Sequence, residues 1–107
     1  YRASATARPE DIKALLDSVI LEGNFMHARN LLDKLLIEYG LSGEDVIRQV
    51  HRTIFDLNIP DREEVRLVDT VGEIEFRMVE GGNERIQLET LLAHFLIAGE
   101  RIRQSEV

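Results

Sequence analysis

"VGEIEFRMVEGGNERIQLETLLAHF", residues 71–95, decides the fold, because helical apolar spacing stands on both sides of a Gly-Gly-Asn break. Gly81 and Gly82 are helix-stopping residues, one of them suited to the left-handed stop, and Asn83 is a good first-residue cap for a restart. After the break Ile86, Leu88, Leu91, Leu92, Phe95 and Leu96 supply the apolar positions of a helix. The stretch therefore predicts two helices joined by a tight turn.

Working outward, the helix before the break opens near Asp61, followed by Arg62, Glu63 and Glu64 in a capping-box pattern, and extends to about Glu80 with Gly72 inside it. A Gly within a helix costs roughly 1 kcal/mol relative to Ala, so Gly72 marks either tolerance or close backbone approach. A strand competes over 63–79, where Val65, Leu67, Val71, Ile74, Phe76 and Met78 resemble alternation. The acidic cap at Asp61 and the length of the run favour the helix.

Three more helices precede it. Pro9 suits a first helical position, Glu10 and Asp11 favour the positive end of the helix dipole, and Gly23 closes a helix reaching Glu22, with Ile12, Leu15, Leu16, Val19 and Ile20 inward. Asn24 caps a second helix through Tyr39, with Phe25, Ala28, Leu31, Leu32, Leu35 and Leu36 inward and Gly40 as its stop. So short a connection favours an antiparallel hairpin. Ser42 to Asp45, "SGED", opens a third helix carrying Val46, Ile47, Val50, Ile54 and Leu57 and ending before Pro60. The expected fold is all-α, about five helices packed as antiparallel hairpins in a small bundle. Residues 1–7 read as a linker remnant, 8–99 as the domain, and 100–107 as a polar tail that frays beyond Gly99.

A chain of 107 residues fits one domain, with roughly two-thirds of the unfolded surface buried on folding. Its 44% apolar and 31% charged content describes a globular chain that stays in water, with no membrane span, and a cytoplasmic location is expected. Thirteen Lys and Arg against 20 Asp and Glu give a net charge of -7, which repels a phosphate backbone unless the basic residues concentrate on one face. With no Cys there are no disulfides, thiolate nucleophiles or Cys-based zinc sites. Tyr1 in place of Met reads as the start of a processed product or of a piece of something longer.

Catalytic and cofactor chemistry finds little purchase. His27, His51 and His94 include no i, i+4 pair of the kind that holds zinc on a helix. "EGGN" supplies no phosphate-binding Lys, and no Ser has the glycines of a nucleophile elbow. The carboxylate pairs Glu10–Asp11, Glu44–Asp45 and Glu63–Glu64 all sit in first turns, where the helix dipole explains them. No metal, no cofactor and no enzyme activity are expected of this chain. Arg62 and Arg66 share a helical face and Arg101 and Arg103 lie in the tail, which are the only hints of a basic patch. Around the break, Arg77, Glu80, Asn83, Glu84, Arg85, Gln87 and Glu89 mix with apolar residues as they do on protein interfaces.

"ARPEDI" at 7–12, "GNFMHARNLL" at 23–32, "YGLSGEDVIRQVHRTIFDLNIP" at 39–60 and above all residues 71–95 together resemble the C-terminal domain of the archaeal replication factor C small subunits, which are sliding-clamp loaders. The likeness spans residues 7–98. It implies a helical collar domain that holds subunits in a ring above ATPase modules that are not in this sequence. By the same resemblance ATP, Mg, the sliding clamp and primer-template DNA belong to the parent protein, while other small and large subunits are this domain's partners. Gly72, Phe76, Arg77, Glu80, Gly81, Asn83, Glu84, Gln87 and Leu88 fall on the family's most recognisable segment and are candidates for subunit contact or for building the hairpin. Gly82 stands where similar sequences often have Ala. Two other readings compete with the collar: a helical adapter with an apolar groove for a peptide or helix, and a small helical DNA-binding module, which the net charge disfavours.

Overall fold

A computed structural model describes residues 8–105. Its elements are α1 (Pro9–Ile20), α2 (Phe25–Asp33), a π-helical turn (Lys34–Glu38), α3 (Gly43–Ile54), α4 (Asp61–Val79) and α5 (Glu84–Ser105). The expected linker over 1–7 lies outside the described residues. No strand occurs among the described residues, and the alternation seen over 63–79 belongs to a helix.

Local chemistry explains most of the boundaries. Arg8 precedes Pro9 in extended conformation, and its guanidinium reaches Asp11 with Nε–Oδ2 at 3.0 Å. That donor holds the Asp11 carboxyl below its usual range and braces the first turn of α1. Asn24 Oδ1 accepts from the His27 amide at 3.0 Å to start α2. Ser42 and Asp45 form a reciprocal capping box at α3, with the Asp45 amide donating to Ser42 Oγ at 3.0 Å.

Three boundaries differ from the sequence reading. The helix through Tyr39 widens into a π turn over its last residues, where the Tyr39 amide bonds to the Lys34 carbonyl at 3.0 Å. Asp61 is not the cap of α4: Pro60, extended at φ -60 and ψ 146, occupies that place, and its carbonyl takes the Glu63 and Glu64 amides. Asp61 sits one residue inside, where its charge still suits the helix dipole. The tail expected over 100–107 is helical through Ser105, because its residues have partners. Arg103 donates to the Ile20 carbonyl at 2.6 Å and so caps the end of α1, while Arg101 reaches Glu63.

One core joins all the elements. Ile12, Leu15, Leu16 and Val19 from α1, Ala28 and Leu32 from α2, Val46, Ile47, Val50 and Ile54 from α3, Leu67, Val71 and Ile74 from α4, and Leu88, Leu91, Leu92, Phe95 and Ala98 from α5 are all buried. Helix α5 is the central element, in contact with each of the other four α-helices. Gly99 makes this possible. A Cβ there would collide with the Ile20 carbonyl and stand 2.8 Å from the Ile20 Cα, so only glycine lets the end of α1 approach α5 this closely. Gly99 therefore serves packing inside a helix and does not end one.

Candidate functional site

The turn between α4 and α5 is built from its own residues. Gly81 adopts φ +100, the left-handed stop, and Asn83 Oδ1 accepts from the Ile86 amide at 2.9 Å to restart the chain as α5. The Gly82 amide donates to the Arg77 carbonyl at 2.8 Å, and a Cβ on Gly82 would stand 2.8 Å from that same oxygen. The turn thus closes against backbone, and an Ala at 82 requires it to shift. Gln87 packs its Cγ toward Gly82. Leu88 is 1% exposed and belongs to the core. Glu84 lies over Gly43, so close that a Cβ on Gly43 would overlap its side chain, which brings a carboxylate to the positive end of α3.

The remaining candidates face outward. Glu80 closes α4, and Arg77 makes only a loose pair with Glu73 at 3.8 Å. Phe76 is 60% exposed, and a Cβ on Gly72 would meet nothing within 4 Å. Of the nine residues singled out by sequence, then, Gly81 and Asn83 build the turn, Gln87 packs on it, Glu84 reaches α3 and Leu88 fills the core, while Gly72, Phe76, Arg77 and Glu80 face solvent on α4.

Phe76 and Gly72 belong to a longer feature. At 3.6 residues per turn, Val65, Asp69, Gly72, Phe76 and Val79 fall within an arc of about 80° on α4. Val65 is 67% and Val79 70% exposed. The buried residues Leu67, Val71 and Ile74 lie on the opposite side of the same helix. On α5, Ile86, Thr90, Ala93 and Ile97 similarly fall within an arc of about 60° that faces away from Leu88, Leu91, Leu92 and Phe95. Ile86 is 60% exposed. Both helices of the hairpin thus carry exposed apolar residues on the side away from the core, interrupted by Asp69 on α4 and Thr90 on α5, whereas a surface helix of a self-sufficient domain needs one apolar side only.

The sequence reads Val65 as part of a competing strand and Ile86 as an apolar position of the last helix; both are exposed in the fold, as are Val79 and Ile97, which the sequence alone does not single out. On α4 the signal is the strand-like alternation over 63–79, which is what a helix with two apolar sides produces. Between α3 and α4 the same region carries a groove of about 310 Å³, lined by Ile47, Val68, Val71 and Gly72 and edged by Arg48, His51 and Glu75.

On another surface, charges tie α5 to α2. Glu89 Oε2 accepts from Arg29 Nε and Arg85 Nε, both at 2.8 Å, and Arg85 also pairs with Asp33. The Arg29 hydrogen bond holds the Glu89 carboxyl below its usual range, assisted by Arg85 and opposed by partial burial. His27, His51 and His94 stand apart on the surface, and no group of acidic or histidine side chains among the described residues is placed to hold a metal ion. No helix of the described residues is long and apolar enough to cross a membrane.

These features define an all-α domain whose two longest helices form a hairpin with an unpartnered apolar side. The sequence pattern of the replication factor C C-terminal domain matches residues 7–94, and the chain belongs to that family. Among its curated relatives, it is 51% identical over 94 residues to a replication factor C small subunit of Archaeoglobus fulgidus, a match covering 88% of this chain and 29% of that protein. It is 50% identical over 99 residues to the small subunits of Methanocella arvoryzae and Methanocaldococcus jannaschii, with 92% of this chain covered in both and 30% and 5% of those proteins. The chain therefore spans less than a third of the length of these relatives.

Proposed function

We propose that this chain is a collar domain that holds neighbouring subunits of a sliding-clamp loader side by side in a ring, through the outward sides of α4 and α5. The observation that carries the reading is the exposed stripe of Val65, Gly72, Phe76 and Val79 on a helix whose other side already fills the core. Exposed apolar side chains in one row mark a protein-contact surface, and at Gly72 a partner's backbone meets no side chain. Glu80 borders the stripe, while Arg77, paired with Glu73, lies about 120° round the helix from its middle.

A ring requires head-to-tail contacts, in which one surface meets a different surface of the next copy. The stripe on α4 and the row of Ile86 and Ile97 on α5 offer two such surfaces. ATP and Mg chemistry, and contact with the sliding clamp and primer-template DNA, would then belong to modules outside this chain, with other small and large subunits as the direct partners of the domain. The rival adapter reading calls for a wholly apolar groove. The α3–α4 groove instead mixes Ile47 and Val71 with Arg48, His51 and Glu75, which favours the flatter, mixed contact of a collar.

Because the chain has no Cys, Phe76→Cys introduces a single thiol on the stripe for a photo-crosslinker. Capture of a second copy from position 76, with none from Arg52→Cys on the exposed side of α3, is the expected result. Equal capture from both positions would show that the stripe has no special affinity for a neighbour.

A further inference from the structure

Arg62 and Arg66, which share a face of α4, meet Arg101 from the far end of the sequence in the fold. Arg62, Glu63 and Arg66 in the first turns of α4 face Arg101, Ile102 and Ser105 at the end of α5 across an open groove of about 610 Å³. Glu63 is 6% exposed, and a buried carboxylate stands only when paired. Its oxygens take Arg101 Nε at 3.1 and 3.3 Å and one Arg101 terminal nitrogen at 3.2 Å, and Arg66 approaches at 3.4 Å. One buried anion thus fixes two guanidiniums at the wall of the groove, and each keeps donors free of that carboxylate. Arg62 adds a third cation that makes no ion pair among the described residues. Among the described residues the groove carries three positive charges against one negative, in a chain of net charge -7.

Of the neighbouring acids, Asp61 and Glu64 point roughly 120° and 180° away from the direction shared by Arg62 and Arg66. Asp69 and Glu73 lie on the arginines' own side, one and two turns further along α4; Glu73 pairs with Arg77, and among the described residues neither pairs with Arg62 or Arg66.

We propose that this groove binds a chain of phosphate groups. Planar guanidiniums match phosphate oxygens two at a time, and the groove is larger than a single phosphate fills. Among the described residues no aromatic side chain lines it, so recognition rests chiefly on the phosphates and is independent of sequence. The overall negative charge of the molecule confines the attraction to short range and makes it strongly dependent on salt.

The test is a titration of the whole chain at low salt with polyphosphate, a mixed-sequence single-stranded oligonucleotide, inorganic phosphate and poly-glutamate, followed by backbone amide NMR. Polyphosphate and the oligonucleotide are expected to shift amides within 60–66 and 101–105. The double variant Arg62→Gln, Arg66→Gln, altered only at exposed positions and checked for an unchanged thermal melt, is expected to bind both about tenfold or more weakly and to lose about one to two units of the salt slope. Arg48→Gln, outside the groove, is expected to bind as the unaltered chain does. Inorganic phosphate binding as tightly as polyphosphate overturns the chain of phosphates as ligand. Equal binding of poly-glutamate, equal binding by the double variant, or no binding at all overturns the site.

Discussion

Three glycines show how differently one residue type is used. Gly81 is required by its backbone angle, Gly99 by the Ile20 backbone against it, and Gly72 by nothing among the described residues. Gly99→Ala is expected to destabilise the fold by about 1 to 3 kcal/mol in denaturant titration, because the clash is with backbone that has little room to move. Gly72→Ala is expected to stabilise the isolated chain by about 1 kcal/mol, since it removes a flexible residue from an exposed helix interior without a clash. If Gly72→Ala proved destabilising in the isolated chain, a contact within the fold would account for this glycine and its role in docking would lapse. Glu89 carries the pH prediction. Its carboxyl is held below the usual range in the folded chain, so the unfolded chain binds the proton more readily. The stability it contributes is complete above the ordinary glutamate value of about 4.3 and is lost as pH falls through the lower folded value. Denaturation of Glu89→Gln followed from neutral to acidic pH is expected to show a flatter decline below about pH 4 than the unaltered chain; an identical decline would remove Glu89 from the acid response.

At the scale of elements, the helix starts follow from single side chains. Ser42→Ala removes one half of the α3 capping box and is expected to cost about 1 kcal/mol, read as a shift of the denaturation midpoint at constant slope. Most of this level was legible in the sequence. Asn24, Ser42 and Asn83 act as the caps their types imply, and the Gly-Gly-Asn break is the tight turn it reads as. What was not legible had long-range causes. The last turns of α5 look like a polar tail until Ile20 supplies a carbonyl for Arg103 and Glu63 a carboxylate for Arg101. Gly99 looks like a helix end until α1 is laid across it. The outward stripe of α4 was half legible: Gly72 and Phe76 were singled out through family resemblance, but Val65 and Val79 are tied to them only by helical phase, which the strand-like alternation obscured.

For the whole molecule, the resulting picture is a domain with one complete core and one incomplete surface. Helices α4 and α5 place enough side chains inward to fold the chain and leave Val65, Phe76, Val79, Ile86 and Ile97 outward, where a monomer gains nothing from them. The phosphate-binding groove adjoins the Val65 end of the stripe, and its test reads Arg62 and Arg66 where the collar test reads Gly72 and Phe76. The central claim is that the outward stripe of α4 is a subunit contact, and sedimentation velocity of the unaltered chain, Phe76→Asp and Gly72→Ala from about micromolar to millimolar concentration tests it most directly. Concentration-dependent association is expected, weakened about tenfold or more by both substitutions, with Phe76→Asp changing the denaturation free energy by less than about 0.5 kcal/mol and Gly72→Ala raising it. A chain that stays monomeric at millimolar concentration, or one that associates equally well with either substitution, would contradict it.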